Sequence, residues 1–204
     1  EKRLEVLSSN DYHILKEVHG QELVGKSYEP LFEIAGAQDL QGTENLYKVW
    51  AADFVSIEDG SGVLHVAPAF GEDDLNLGQE HNIPVLKTID ASGKVTGGIG
   101  FDDAEGMFFK KADKYIIEHL AKNDRVYAAE TFTHTYPFCW RCETPLMYYA
   151  INSWFIKVSA IREQLMETAK EIPWVPEHIK TRRFGKPPEG ARDWAVSRNR
   201  YWGS

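Results

Sequence analysis

GSGVLHVAPAFGEDDLNLG, residues 60–78, is the stretch around which we expect the rest of the chain to be organised. Gly60 and Gly62 favour a turn with positive φ, and residues 63–67 predict a short buried strand that Pro68 ends. Three carboxylates at residues 72–74 then predict the start of a helix, where they face the positive end of its dipole. A strand, a bent loop and an acidic helix start together are typical of a small-molecule site, with His65 and the acidic residues at its mouth.

The individual residues allow a plainer interpretation. Glu72 and Asp73 are common residue types at the beginning of a helix and could serve only to cap it. His65 could be a hydrogen-bonded histidine of the core. Residue types alone leave both interpretations open.

The complete string is more specific than its parts. The pattern GSGxxHxAPAFGxxD resembles the signature of the editing insertion of isoleucyl-tRNA synthetases and of their valyl relatives. Further segments match in the same order: residues 20–32, Cys-Trp-Arg-Cys at 139–142, Trp154-Phe155, Trp-Val-Pro at 174–176 and residues 193–203. The resemblance therefore covers nearly the whole chain.

The resemblance implies an enzyme of protein biosynthesis, an isoleucine-tRNA ligase, with this region hydrolysing mischarged valyl-tRNA(Ile) after transfer. A pocket for isoleucine rejects valine by only about 1–3 kcal/mol, a limit documented for this family itself, so a second site is needed. By resemblance, Asp74 holds the α-ammonium of the amino acid and His65 lines the pocket, and these two are the expected catalytic residues. The expected substrate-binding set is Gly62, His65, Ala67, Pro68, Phe70, Gly71 and Asp74. Asp74 should stay ionised there, so we expect positioned water and the terminal ribose hydroxyl to act without a side-chain base.

The predicted fold class is α+β. Residues 1–130 should form a β-rich editing domain with a curled sheet or barrel and a few helices, and 131–204 a strand-and-helix segment returning to the synthetic core. Helical spacing predicts helices over 104–122 and 159–171, and strands are expected at 47–55, 83–86 and 126–128. The threonine-rich strand of the family's editing site has no counterpart in these residues. We therefore expect a fragment of a longer enzyme, weak or inactive in editing by itself.

Composition places the chain among globular proteins. Of 204 residues, 43% are hydrophobic and 26% charged, and the net charge of −8 argues against a general nucleic-acid coat. No apolar run approaches the length of a membrane span, so no membrane partner is expected. Two cysteines, three positions apart, suit a reducing cytoplasm rather than a disulfide framework.

Two further motifs have several interpretations. Cys139 and Cys142 could be half of a zinc site, a redox pair or two packed thiols, and zinc would need two more ligands. Basic residues follow position 180, and Lys180, Arg182 and Arg183 are candidates to contact tRNA phosphates. A solvated surface is the alternative for that segment.

The implied cofactors are ATP and magnesium in the full enzyme, with zinc as a further candidate. The implied partners are the 3′ end of tRNA(Ile) and the isoleucine and valine moieties, and the full enzyme is expected to be a monomer. Three alternatives compete: a valyl-tRNA synthetase editing domain that removes threonine, a non-catalytic RNA- or zinc-binding module, and a metal-dependent hydrolase. The last would use His65, Asp73 and Asp74, an unfavourable geometry for one ion.

Overall fold

The computed structural model describes residues 13–56, 62–129, 131, 133–181 and 190–199. The chain divides into two compact units, Glu1–Ala150 and Ile151–Ser204. The first unit therefore extends 20 residues past the boundary expected after residue 130. The assignment of 1–130 to editing and 131–204 to a return segment remains a prediction.

Among its described residues the first unit has the α-helices α1 (Glu72–Glu80) and α2 (Phe109–Lys122). Short 3₁₀ helices lie at Gly20–Leu23, Ala37–Asp39, Thr43–Asn45 and Asp102–Ala104. The helix predicted over 104–122 is thus confirmed for its longer, C-terminal part. Its N-terminal residues instead form a 3₁₀ turn and a loop.

The hydrophobic core of this unit lies between α2 and the loop that precedes it. Its buried members are Val95, Ile99, Phe101, Ala104 and Ala112, with Phe32, Met107 and Ile116 packed around them. His119 on α2 lies against Phe101, with 4.2 Å between ring centroids, and so takes part in the packing around the core. Tyr115 on the same helix is 45% exposed.

Side chains from an earlier loop of the chain contact the C-terminal end of α1. The Asn45 side-chain amide donates to the carbonyl oxygens of His81 (2.9 Å) and Asn82 (3.4 Å). The Trp50 ring stacks on His81 with 4.3 Å between centroids and 15° between planes. These contacts hold α1 from outside the signature and so orient it.

Most of the predicted strands are not formed in the described residues. Residues 47–55, 83–86 and 126–128 are assigned to no strand. Pairing in the first unit is limited there to isolated bridges, among them Ser27 with Lys48 and Lys94 with Phe108. Apolar alternation identifies extended chain, but a strand also needs a neighbour for its backbone groups. The α+β class with a curled sheet stays a prediction.

The second unit carries a two-stranded antiparallel sheet, β1 (Phe155–Ile156) and β2 (Trp194–Ala195), in which Phe155 pairs with Ala195. After β1 come a 3₁₀ turn, Val158–Ile161, and helix α3, Arg162–Glu171, followed by α4, His178–Thr181. The helix predicted at 159–171 is confirmed from Arg162 onward, while residues 159–161 belong to the 3₁₀ turn. Asp193 accepts the Ser159 backbone N–H at 2.8 Å and thereby joins the start of this helical segment to the residue before β2.

Candidate functional site

The signature forms a tight turn that leads directly into α1. The Phe70 backbone N–H donates to the Ala67 carbonyl at 2.8 Å, and Gly71 is the N-cap of the helix. The first helical hydrogen bond runs from the Leu75 N–H to the Gly71 carbonyl at 2.9 Å. The predicted acidic helix start is confirmed, and Asp74 takes the third helical position.

The Asp74 side chain folds back over the turn. Its carboxylate accepts a hydrogen bond from the Ala67 backbone N–H. A β-carbon placed on Gly71 would overlap a carboxylate oxygen of Asp74 and lie 2.9 Å from its Cγ. Because Gly71 has φ −151°, which any residue can adopt, glycine is needed here for the close approach of Asp74 rather than for its backbone angle.

The electrostatic state of Asp74 reflects this position. Partial burial is the main cause that raises the pKa of its carboxyl, and the neighbouring charge of Asp73 acts in the same direction. The Ala67 hydrogen bond and the His65 imidazole oppose that rise. A cationic group bound at Asp74 would stabilise the ionised form, which makes the carboxylate suited to an ammonium ligand.

The structure corrects the buried strand predicted at 63–67. Val63 is 68% exposed and Leu64 55%, His65 is exposed, and the segment is assigned to no strand. Burial begins only at Pro68 and Ala69, and Pro68 packs on α1. A β-carbon placed on Gly78 would lie 3.0 Å from the Pro68 Cγ, so helix and turn are in close contact.

The structure brings most of the predicted site residues together. Ala67, Gly71 and Asp74 share the contacts described above, and Phe70 is half-buried beside them. His65 lies close enough to affect the Asp74 carboxylate electrostatically. Gly62 has φ +76°, as expected for a turn glycine.

Sequence reasoning missed the residues that support the turn from a distant part of the chain. The Ala150 N–H donates to the Ala69 carbonyl at 2.8 Å, and the Tyr149 ring lies 6.0 Å from the Phe70 ring, centroid to centroid. The Lys87 ammonium lies 5.2 Å from the centroid of the Tyr149 ring. Among the residues that shape the turn, Gly78 of α1 did carry a signal in the sequence, because a glycine inside a helix often marks the close approach of another segment.

The two cysteines lie in a short hairpin closed by the bridge between Phe138 and Pro145. The Cys139 N–H donates to the Thr144 carbonyl at 2.9 Å, and the Cys142 Sγ lies 3.1 Å from the Thr144 Oγ1. Hydrogen bonding, first of all to the Thr144 hydroxyl, lowers the pKa of the Cys142 thiol. Two facing thiols fit half of a tetrahedral zinc site.

Nowhere in the described ranges do three His, Cys, Asp or Glu side chains meet as a group that could hold a metal ion. His65, Asp73 and Asp74 therefore give no support to the metal-dependent hydrolase. The same observation leaves Cys139 and Cys142 without a third ligand among these residues, and zinc in the full enzyme stays a prediction.

The predicted tRNA-contact residues are only partly described. The Lys180 ammonium donates to the Lys170 carbonyl at 2.5 Å, near the C-terminal end of α3. That contact satisfies a terminal carbonyl of the helix and favours a structural role. Arg182 and Arg183 lie outside the described residues.

Within the described part of the chain, no helix has both the length and the apolar character needed to cross a bilayer.

Comparison with known proteins gives consistent matches over the chain. The family model described as tRNA synthetases class I (I, L, M and V) matches residues 5–204. The chain is similar to the isoleucine–tRNA ligase of Clostridium acetobutylicum, with 40% identity over 203 residues, which are 100% of this chain and 19% of the relative. It is 45% identical to the enzyme so named from Chlamydia pneumoniae over 194 residues, 95% of this chain and 18% of the relative. It is 44% identical to the isoleucine–tRNA ligase of Picrophilus torridus over 195 residues, which are 96% of this chain and 18% of the relative. The chain thus spans less than one fifth of the length of these relatives.

Proposed function

Because the chain belongs to the class I tRNA synthetases of the I, L, M and V group, we propose that it is the editing portion of an isoleucine-tRNA ligase. The complete enzyme would attach isoleucine to tRNA(Ile) with ATP and magnesium, and the present residues would hydrolyse valyl-tRNA(Ile). The names of the similar ligases support the choice of isoleucine over valine as the cognate amino acid.

The observation that carries the editing proposal is the conformation of Asp74. Its carboxylate is directed back over Gly71, accepts the Ala67 N–H and is partly withdrawn from water. A carboxylate in that state binds an ammonium group more strongly than one that is fully solvated, because the charges are less screened. The α-ammonium of an aminoacyl ester is a ligand of the right charge, and binding it would position the adjacent carbonyl.

Hydrolysis at this site depends on positioning. The ester carbonyl would lie near the N-terminal end of α1, whose dipole favours the negative charge that develops on the carbonyl oxygen. His65, which is exposed and electrostatically coupled to Asp74, would line the space for the amino-acid side chain. Water attacks the ester carbon, the bond from that carbon to the ribose oxygen breaks, and the products are free valine and the RNA with its ribose hydroxyl restored. The neighbouring hydroxyl of the terminal ribose assists the transfer of the proton from water to the leaving oxygen.

Selectivity follows from exclusion rather than from stronger binding. Valine lacks one methylene of isoleucine, and a pocket closed by the turn around Pro68 and Phe70 would reject the larger side chain by overlap. Overlap in a rigid pocket costs more than the missing contact of a smaller ligand, which is why a second, smaller site can discriminate where the first cannot.

The test is single-turnover deacylation of valyl-tRNA(Ile) with the chain in excess as part of the complete ligase, comparing it with the Asp74→Ala variant, because the chain by itself is expected to edit weakly or not at all. Asp73→Ala is the matched control, because it removes an exposed carboxylate one position earlier in the same helix. We expect Asp74→Ala to reduce the rate by about tenfold or more and Asp73→Ala to retain most of it. Isoleucyl-tRNA(Ile) should be hydrolysed far more slowly by the unaltered chain. Equal rates for the chain and Asp74→Ala would refute the role of the carboxylate.

A further inference from the structure

The acidic signature creates an electrostatic problem for an RNA substrate. Three carboxylates, at residues 72–74, stand at the start of α1, and the whole chain carries a net charge of −8. These charges favour an ammonium ligand but repel the phosphates that precede it at the end of an RNA strand. A cation held near the turn would offset this repulsion.

Lys87 meets that requirement. Its side chain is exposed, and its ammonium lies 5.2 Å from the centroid of the Tyr149 ring. Tyr149 in turn lies against Phe70 of the signature. The Lys87 ammonium is therefore linked to the turn through the Tyr149 ring. Because an aromatic ring supports the cation without acting as a carboxylate or carbonyl acceptor, the N–H donors of Lys87 are available for a ligand.

The backbone around Lys87 is also fixed. The Ile83 N–H donates to the Gly78 carbonyl at 2.7 Å, Pro84 is buried, and the Thr96 N–H donates to the Thr88 carbonyl at 2.9 Å. The Ala150 N–H bond to the Ala69 carbonyl likewise fixes the backbone next to Tyr149. The position of the cation relative to the turn is thus set by ordered elements on both sides.

We infer that Lys87, supported by the Tyr149 ring, binds a backbone phosphate of the single-stranded RNA 3′ end whose aminoacyl group occupies the Asp74 site. The inference rests on the proposed function for the identity of the ligand. Lys87 acts here as a binding residue for the RNA and takes no part in the hydrolytic step.

The experiment measures the binding of an RNA hairpin with a single-stranded 3′ end that carries no amino acid, by fluorescence anisotropy at several salt concentrations. A phosphate contact in single-stranded nucleic acid contributes about 0.7 to the slope of log affinity against log salt. Lys87→Ala should lower the slope by that amount. Between about 50 mM and about 200 mM salt, the unaltered chain should therefore lose about two- to threefold more affinity than Lys87→Ala.

Two variants separate a local phosphate contact from a general charge effect. Lys87→Arg retains the cation and should keep the slope of the unaltered chain. Lys114→Ala removes an exposed lysine of α2 that pairs with Glu118 at 3.8 Å, and it should also leave the slope unchanged. The inference is overturned if Lys87→Ala keeps the full slope, if Lys114→Ala lowers it equally, or if the unaltered chain shows no salt-dependent binding.

The outcome is separable from the test of hydrolysis, because the RNA carries no ester and its binding does not require the Asp74 carboxylate. A silent Asp74→Ala variant would refute the editing role while the salt slope still reports on Lys87. An unchanged slope would refute the phosphate contact while the deacylation rates stand.

Discussion

Replacing Gly71 by alanine tests whether the position of the Asp74 carboxylate is the feature on which the site depends. The new methyl group would overlap a carboxylate oxygen and lie 2.9 Å from Cγ and 3.3 Å from Cβ of Asp74. Backbone strain plays no part, since φ at Gly71 is −151°. The side chain of Asp74 must therefore rotate away and release the Ala67 N–H.

The size of the effect follows from the bonds that are lost. A hydrogen bond to a charged group contributes about 1.5–3 kcal/mol, and the partial exposure of Asp74 favours the lower part of that range. The reduced entropy of the unfolded chain returns about 0.4–1 kcal/mol, so we expect a net loss of about 0.5–2 kcal/mol in the free energy of unfolding. Loss of a correctly placed ammonium contact, also about 1.5–3 kcal/mol, predicts a deacylation rate lower by about tenfold to about 150-fold.

Two assays check this prediction. Denaturant unfolding measures stability, and single-turnover deacylation of valyl-tRNA(Ile) measures the site. The amide proton resonance of Ala67 reports the hydrogen bond directly and should move upfield in the variant. Gly20→Ala is the matched control, because a β-carbon there meets nothing within 4 Å. A Gly71→Ala variant that retains the Ala67 resonance and the full rate would refute the reasoning.

Two other predictions concern stability. Partial burial raises the pKa of Asp74 above its ordinary value of 3.8. The folded state is therefore penalised as pH rises from 3.8 through the folded-state pKa, and the penalty is fully present above it. Asp74→Asn should therefore be more stable than the parent near neutral pH, with the difference vanishing at pH values below 3.8; calorimetric Tm values across pH measure it, and a constant difference would contradict the cause. Asn45→Ala removes the side-chain donor to the carbonyls of His81 and Asn82 and should lower the free energy of unfolding by about 1–2 kcal/mol. Urea unfolding measures this loss, and a change smaller than about 0.5 kcal/mol would show that the loop does not hold α1.

The helices and the acidic turn could be predicted from the sequence because their signals are local. Helix α1 begins where a glycine is followed by three carboxylates, and α2 carries its apolar residues at helical spacing around the buried Ala112. The candidate site residues from His65 to Asp74 could also be named from the sequence, because they belong to one short motif. Such features depend on neighbours within a few residues, which the sequence displays directly.

Strand assignments failed for the opposite reason. The apolar residues Val63 and Leu64 favoured a buried strand, yet both are largely exposed, because burial and pairing depend on which distant segment lies alongside. The β-rich character expected for residues 1–130 stays a prediction, because the isolated bridges of the first unit do not test it.

The sequence by itself determined the family and the acidic turn, since a motif and its spacing are properties of the chain, and it predicted which residues bind the aminoacyl group. Only the tertiary structure decided that Tyr149 and Ala150 support the turn and that Lys87 lies on the Tyr149 ring. These residues are separated from Phe70 by 17 positions in one case and by about 80 in the others. Contacts over such distances arise from folding and carry no local pattern by which they could have been found.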